Sequence, residues 1–183
     1  MRVPVAKRHM LVIEAILTAV LLAILFAPLT LPAGSVGGLD GSIGTLDHGN
    51  DLNDVPWLQR AVYLLGDVNC HQQAERSFFL NDNQMPFCAR DLGLLAGAVA
   101  GLGLFILLGR KVPWAWLLVL LVPMAVDGVL QAITDYESSN AFRLLTGLFA
   151  GAAAGYGAGM LVGNFFDAPD EEKGAASSDR EMR

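Results

Sequence analysis

Charged side chains are scarce in this chain: Lys, Arg, Asp and Glu make up 16% of its 183 residues, while 54% are hydrophobic. A soluble domain carries charge on roughly 25% of its residues, so an ordinary water-soluble globule is excluded and a membrane protein is implied. Bases are outnumbered by acids, 12 to 18, giving a net charge of −6. With no basic stripe, nucleic acid is excluded as a partner. Familiar catalytic signatures are missing too: neither G-x-S-x-G, nor H-E-x-x-H, nor a P-loop occurs. No span holds a bis-histidine haem pattern. Cysteine is reduced to Cys70 and Cys88, enough for one disulfide or part of a metal site.

Long apolar runs take the place of charge. Met10 to Leu31 is apolar apart from Glu14, Thr18 and Thr30, and at ~1.5 Å per residue it is long enough to cross a bilayer. A secretory signal also reads basic then apolar, but its core is only about 7–15 residues, so a retained anchor is expected. Pro28 and Pro32 mark where that helix kinks or stops. Three further spans are predicted at 92–109, 113–133 and 142–166. The fold class is therefore all-α: an integral membrane bundle of four transmembrane helices with an external loop and a short amphipathic helix. That helix is placed at 55–68, where Val55, Leu58, Val62 and Leu65 recur at helical steps. It is expected at the membrane surface, with Trp57 and Tyr63 at headgroup depth. The Gly-, Asp- and Asn-rich stretch before it, 32–54, reads as an irregular loop in which His48 is solvated.

The organisation expected is a cytoplasmic leader at 1–9, a first transmembrane helix at 10–31, an external segment carrying the Cys/His site at 32–91, a three-helix membrane region at 92–166, and a disordered cytoplasmic tail at 167–183. Orientation follows from the positive-inside rule. Arg2, Lys7 and Arg8 hold the N-terminus in the cytoplasm, and Arg110 with Lys111 hold the second connection there. Four spans then return the C-terminus to the cytoplasm, making this a multi-pass protein of the cell membrane. Its first partner is the lipid bilayer.

Glycines fall at four-residue spacing in two spans: Gly93, Gly97 and Gly101, and then Gly147, Gly151, Gly155, Gly159 and Gly163. Such rows form flat grooves that let another backbone approach closely. Both spans run in the same direction, so one row can pack on the other; a homo-oligomer through the longer row is the alternative. Asp127 lies about two turns from the end of its span, where a carboxylate costs roughly 2.5–3.5 kcal/mol and turns inward. Gln131 shares its face. Arg143, with Thr146 beside it, enters the next span close by. Asp127, Gln131 and Arg143 are expected to converge, with an Asp127–Arg143 ion pair as the plain structural reading.

The segment from Cys70 to Asp91 concentrates the reactive residue types. Three readings stand side by side. One is a Cys70–Cys88 disulfide, worth ~3 kcal/mol in the chain-entropy model. Another is a zinc or other divalent-metal site from Cys70, His71, Cys88 and Asp91, although adjacent Cys70 and His71 diverge on a regular helix. The last is a thiol activated by nearby arginines. Arg76, Arg90 and Arg143 are the candidates for binding an anion or a lipid headgroup.

Taken in order, Cys70-His71-Gln72, Arg76-Ser77-Phe78, Pro86-Phe87-Cys88-Ala89-Arg90, Gly93, Pro123, Asp127-Gly128, Gln131, Ser139-Asn140, Arg143 and Thr146-Gly147 resemble domain of unknown function family 2085, a family of small prokaryotic membrane proteins. The resemblance covers about 70–163. It implies one polar constellation gathered at the outer ends of the helices, and it brings no activity with it. At position 91 many relatives have a further cysteine, giving Cys-x-Arg-Cys, where this chain has Asp91. The change lowers the count of soft ligands but leaves a carboxylate that zinc accepts. An oligomeric transporter of ions or small solutes through Asp127, Gln131 and Arg143, and a purely structural protein, are the alternative functions.

Overall fold

The computed structural model describes residues 5–41, 44–49 and 52–167; residues 1–4, including Arg2, and the tail beyond 167 lie outside them. Four long helices dominate: α1 (Val5–Leu29), α3 (Ala89–Leu108), α4 (Trp114–Ile133) and α5 (Asn140–Asp167). Each is long and apolar enough to cross a membrane, as the apolar runs required. Among the described residues, the short helix α2 (Trp57–Asn69), a single 3-10 turn at Ala74–Arg76 and a hairpin of β1 (Ser77–Leu80) and β2 (Asn83–Cys88) complete the regular elements. The architecture is thus an all-helical membrane bundle with one small two-stranded sheet.

The glycine rows set the centre of the bundle. A Cβ at Gly97 would collide with the backbone of Leu148 and Ala152, and one at Gly151 with the backbone of Leu94 and Ala98. Contact numbers rise together along α3 and α5, from Gly93 against Leu144 to Gly101 against Ala152, so the two helices are parallel. The first three glycines of the longer row are consumed by this packing. Gly159 and Gly163 face the ring of Phe105 instead. Below the rows, Met10, Leu102, Phe105, Leu117, Tyr156 and Met160 fill an apolar core. The ring of His9 stacks on Phe166 at 4.7 Å, so α1 begins at the membrane face where α5 ends.

The opposite face carries a small folded cap, and its glue is polar. Asn83 donates from Nδ2 to the carbonyls of Pro28 (3.0 Å) and Pro32 (2.9 Å), and its Oδ1 accepts from Val36 N at 2.9 Å. These bonds satisfy carbonyls at the end of α1 and just beyond it, where Pro32 has no N–H to offer the Pro28 carbonyl. Gln84 reaches Leu39 through both ends of its amide and also donates to the Gln72 carbonyl. The Tyr63 hydroxyl donates to the Gln84 carbonyl at 2.7 Å. Asn83, Gln84 and Tyr63 are fully buried, and burial raises the pKa of the Tyr63 phenol. A buried polar network satisfied in this way fixes one geometry rather than a greasy contact that can slide.

Two expectations change here. Tyr63 belongs to the core of the cap, not to a headgroup belt; only Trp57, 80% exposed, is placed for that. His48 is buried, not solvated: its Nδ1 meets Asp67 Oδ1 at 2.9 Å and its backbone N–H donates to Asp67 Oδ2 at 3.1 Å. The Asp40 N–H reaches His48 Nε2 at 3.3 Å, so Nδ1 carries the proton toward Asp67. The segment before α3, for which the sequence predicts no regular element, is a hairpin. Asn81 and Asp82 both take positive φ, 54° and 56°, the two-residue turn that twists with the strands.

Candidate functional site

Cys88 ends β2 and also caps α3, so the hairpin's register decides where its thiol goes. Leu80 pairs with Asn83 and Phe79 with Gln84, but Ser77 pairs with Cys88 across an irregularity. Pro86, which has no N–H for the ladder, lies in that interval. The extra length swings Cys88 back over the end of α2, where Cys70 caps the helix. Cys88 N–H then donates to Cys70 Sγ at 3.3 Å, and Cys88 Sγ stands 3.2 Å from Asp91 Oδ2 one turn along α3.

The sulfurs of Cys70 and Cys88 and one oxygen of Asp91 lie within 4.8 Å of one another. Both cysteines are free thiols and are not at disulfide distance. Cys70 is buried and Cys88 half-buried. Each alters the other's titration. A hydrogen bond from the Cys70 thiol holds the Cys88 pKa below its ordinary value, while holding that proton, together with burial, drives the Cys70 pKa up. Of the four sequence-predicted ligands three come together. His71 is not in the group, although it lines the same cavity.

That cavity has a volume of ≈ 180 Å³ and sits where the cap meets the ends of α3, α4 and α5. Cys70, Cys88 and Asp91 line one side, with Arg76, Arg90 and Arg143 also in its wall. Asp127, on α4, is fully buried and pairs with Arg90 Nη2. This corrects the expected partner: the carboxylate neutralises Arg90 of the Cys-x-Arg segment, not Arg143. Gln131, one turn on, is the hinge of the network. Its Nε2 donates to Asp127 Oδ2 at 2.8 Å, and its Oε1 accepts from Arg143 Nη2 at 3.2 Å. Arg143 Nη1 donates to Asn140 Oδ1 at 3.3 Å. Thr146, also buried, turns its hydroxyl to the Arg143 carbonyl at 3.2 Å, so it supports the helix start without facing the cavity.

Side chains beyond the candidate ligands also contribute. Ser138 reaches both Gln131 and Asp127. Gln72 adopts φ 47°, and its amide donates to the carbonyls of Tyr63 (3.0 Å) and Pro86 (2.9 Å). That clasp fastens the Cys70 turn to β2. Gln72 stands beside Cys70 and His71 in the sequence, but nothing in its spacing signals a structural amide. Arg76 bonds Glu137 at the exposed rim, 3.4 Å away.

Comparison with known proteins bears on this same region. A family model described as "Predicted membrane protein (DUF2085)" matches residues 70–156, which contain both cysteines, the three arginines, Asp127 and Gln131. An uncharacterized protein of Methanocaldococcus jannaschii is 35% identical over 108 residues, covering 56% of this chain and 69% of that one. An uncharacterized protein of Methanothermobacter thermautotrophicus is 34% identical over 85 residues, covering 45% of this chain and 77% of that one. No solved structure matches the chain.

Proposed function

The chain belongs to the family of predicted membrane proteins called domain of unknown function family 2085, and from the geometry of its matched region we propose that it binds a divalent metal at the membrane surface. One observation carries this reading: two sulfurs and a carboxylate oxygen within 4.8 Å of one another, in the wall of a polar cavity. Tetrahedral ligation at ~2.0–2.3 Å places ligand atoms roughly 3.3–3.8 Å apart, so small side-chain movements suffice. Two thiolates and a carboxylate suit zinc. Three protein ligands leave a fourth position, the arrangement of a metal that works on a bound molecule rather than one that only staples a fold. His71 is near enough in sequence to complete the set if the Cys70 turn rotates.

Asp91 fits the same reading. Where relatives carry a third sulfur, this chain supplies a hard oxygen ligand, which keeps zinc and admits harder cations. The arginines beside it give the fourth position an anionic preference. The positive-inside distribution of Arg2, Lys7, Arg8, Arg110 and Lys111 supports placing this cavity on the outer face with both termini cytoplasmic.

Elemental analysis of the purified full-length protein, with a free-thiol count on the same sample, tests the proposal. We expect about one zinc or other divalent metal per chain, lost on Cys88→Ser. Protein that keeps two free thiols, folds and takes up no metal on dialysis against zinc would sink it. Oxidised cysteines without metal would favour the structural disulfide instead.

A further inference from the structure

We propose that the cavity seats a phosphoryl group, held by Arg143 and Arg90 as its fixed donors and by Arg76 as its mobile one. The inference deepens the reading above and rests on the same cavity, but it does not require the metal to be bound.

The cavity wall is rich in positive charge. Arg76, Arg90 and Arg143 all line the cavity, and Asp91 is the acid among its lining residues. Asp127 balances Arg90 from behind but is not part of the wall. Arg143 is 3% exposed, and its side-chain hydrogen bonds go to two uncharged amides, those of Asn140 and Gln131. A buried guanidinium whose direct hydrogen bonds go to neutral groups has lost its water without an anion in contact; Asp127 and Glu137 act on it only from a distance, so an anionic ligand in the cavity would be favoured. The Nε atoms of both Arg90 and Arg143 are buried without any hydrogen-bond partner.

Arg90 is the second residue of α3 and Arg143 the fourth of α5. Because the glycine rows hold these helices parallel and in contact, their positive ends lie side by side at this face. Two guanidinium groups from neighbouring helix starts therefore approach the cavity from one side. Arg76 approaches from the cap, where its pair with Glu137 at 3.4 Å is exposed on both sides, 42% and 69%, and so is easily exchanged. Three forks from separate elements suit a tetrahedral oxyanion with several equivalent oxygens better than a planar carboxylate, which one bidentate arginine satisfies. Phosphate and a lipid phosphate headgroup share that chemistry, and both reach a cavity at the membrane surface.

The test uses the full chain in detergent micelles. Isothermal titration with inorganic phosphate is run on chelator-treated and on zinc-loaded protein. A parallel titration uses mixed micelles of phosphatidic acid, with phosphatidylcholine micelles as control. Saturable binding of about one phosphate per chain supports the proposal and identifies a free or soluble phosphate source. Saturation by phosphatidic acid but not by inorganic phosphate supports it and identifies a lipid source. Arg76→Gln, a rim substitution that leaves the fold intact, should weaken either affinity at least tenfold, with Arg76→Lys recovering part of the loss. Binding unchanged in Arg76→Gln, or no binding of either probe by folded wild-type protein, overturns it. Phosphate binding by protein that takes up no metal would sink the metal reading and leave this one standing. Metal uptake with no binding of either probe would do the reverse.

Discussion

Cys88 sits at the meeting point of a strand end, a helix start and the buried Cys70, and each neighbour acts differently on its thiol. The hydrogen bond from Cys70 stabilises the Cys88 thiolate, so its pKa is lowered, while Cys70 keeps its proton and is raised. In metal-free protein, iodoacetamide should therefore modify one thiol per chain at a pH below the ~8.5 of an ordinary cysteine. The second should react only after unfolding. As pH falls through the lowered value, Cys88 protonates and the fast reaction is lost. Mass spectrometry of the alkylated peptides checks this, and equal modification of both thiols at every pH would contradict it. A metal must displace the Cys70 proton, so metal affinity falls as pH is lowered. The residue types of this site were legible in the sequence because Cys, His, Asp and Arg are rare in so apolar a chain. Their pairing was not. Arg90 and Asp127 lie 37 positions apart, and two arginines competed for one carboxylate with nothing in spacing to separate them.

At the scale of elements, legibility followed period. Four-residue glycine spacing has one economical use, close backbone contact, and α3 packs on α5 in just the parallel sense the rows allowed. The hairpin had no such signal. Its strands hold four and six residues, its turn is Asn81-Asp82 rather than a glycine turn, and an irregularity in the interval that holds Pro86 breaks the alternation. A two-stranded ribbon this short is stabilised by what it packs on; here its own Asn83 and Gln84 amides bond Pro28, Pro32, Val36 and Leu39, and those partners are remote in sequence. His48 and Tyr63 escaped for the same reason, since burial inside a cap is invisible until the cap exists. The glycine contact makes a sharp prediction. Gly151→Leu drives a side chain into the Leu94 carbonyl across the tightest part of the seam. Overpacking costs typically 1–3 kcal/mol, and here it also parts the helix starts that carry Arg90 and Arg143. Thermal unfolding in detergent should drop by several degrees, and metal uptake should fall with it. Gly103→Ala is the control, because a Cβ there meets only the end of the Glu14 side chain at 3.1 Å. Equal stability of Gly151→Leu and Gly103→Ala would mean the seam is not close-packed.

For the molecule as a whole, the fold divides function from anchorage along the membrane normal. The stacking of His9 on Phe166 gathers the start of α1 and the end of α5 at one face. The Tyr156 hydroxyl donates to the Arg110 carbonyl at 2.7 Å, which ties the basic Arg110-Lys111 connection to that same end. All the cavity residues lie at the other. Two-sidedness is thus built in, and the distribution of bases then decides which side is which. With Lys7, Arg8, Arg110 and Lys111 at the anchoring face, that face should be cytoplasmic and the cavity should open outward. A fluorescent protein fused after Arg183 should then be bright, and alkaline phosphatase fused at the same point inactive. Trp57, 80% exposed on the cap, gives the complementary readout. In a Trp57→Cys variant, a membrane-impermeant maleimide should label intact cells, while right-side-out vesicles pretreated with it should show no further labelling after lysis. Labelling that appears only once the membrane is broken would invert the molecule. The cavity would then face the cytoplasm, where soluble phosphate compounds are abundant and thiols stay reduced. The orientation experiment therefore bears directly on which phosphoryl source, free or lipid-borne, the three arginines meet.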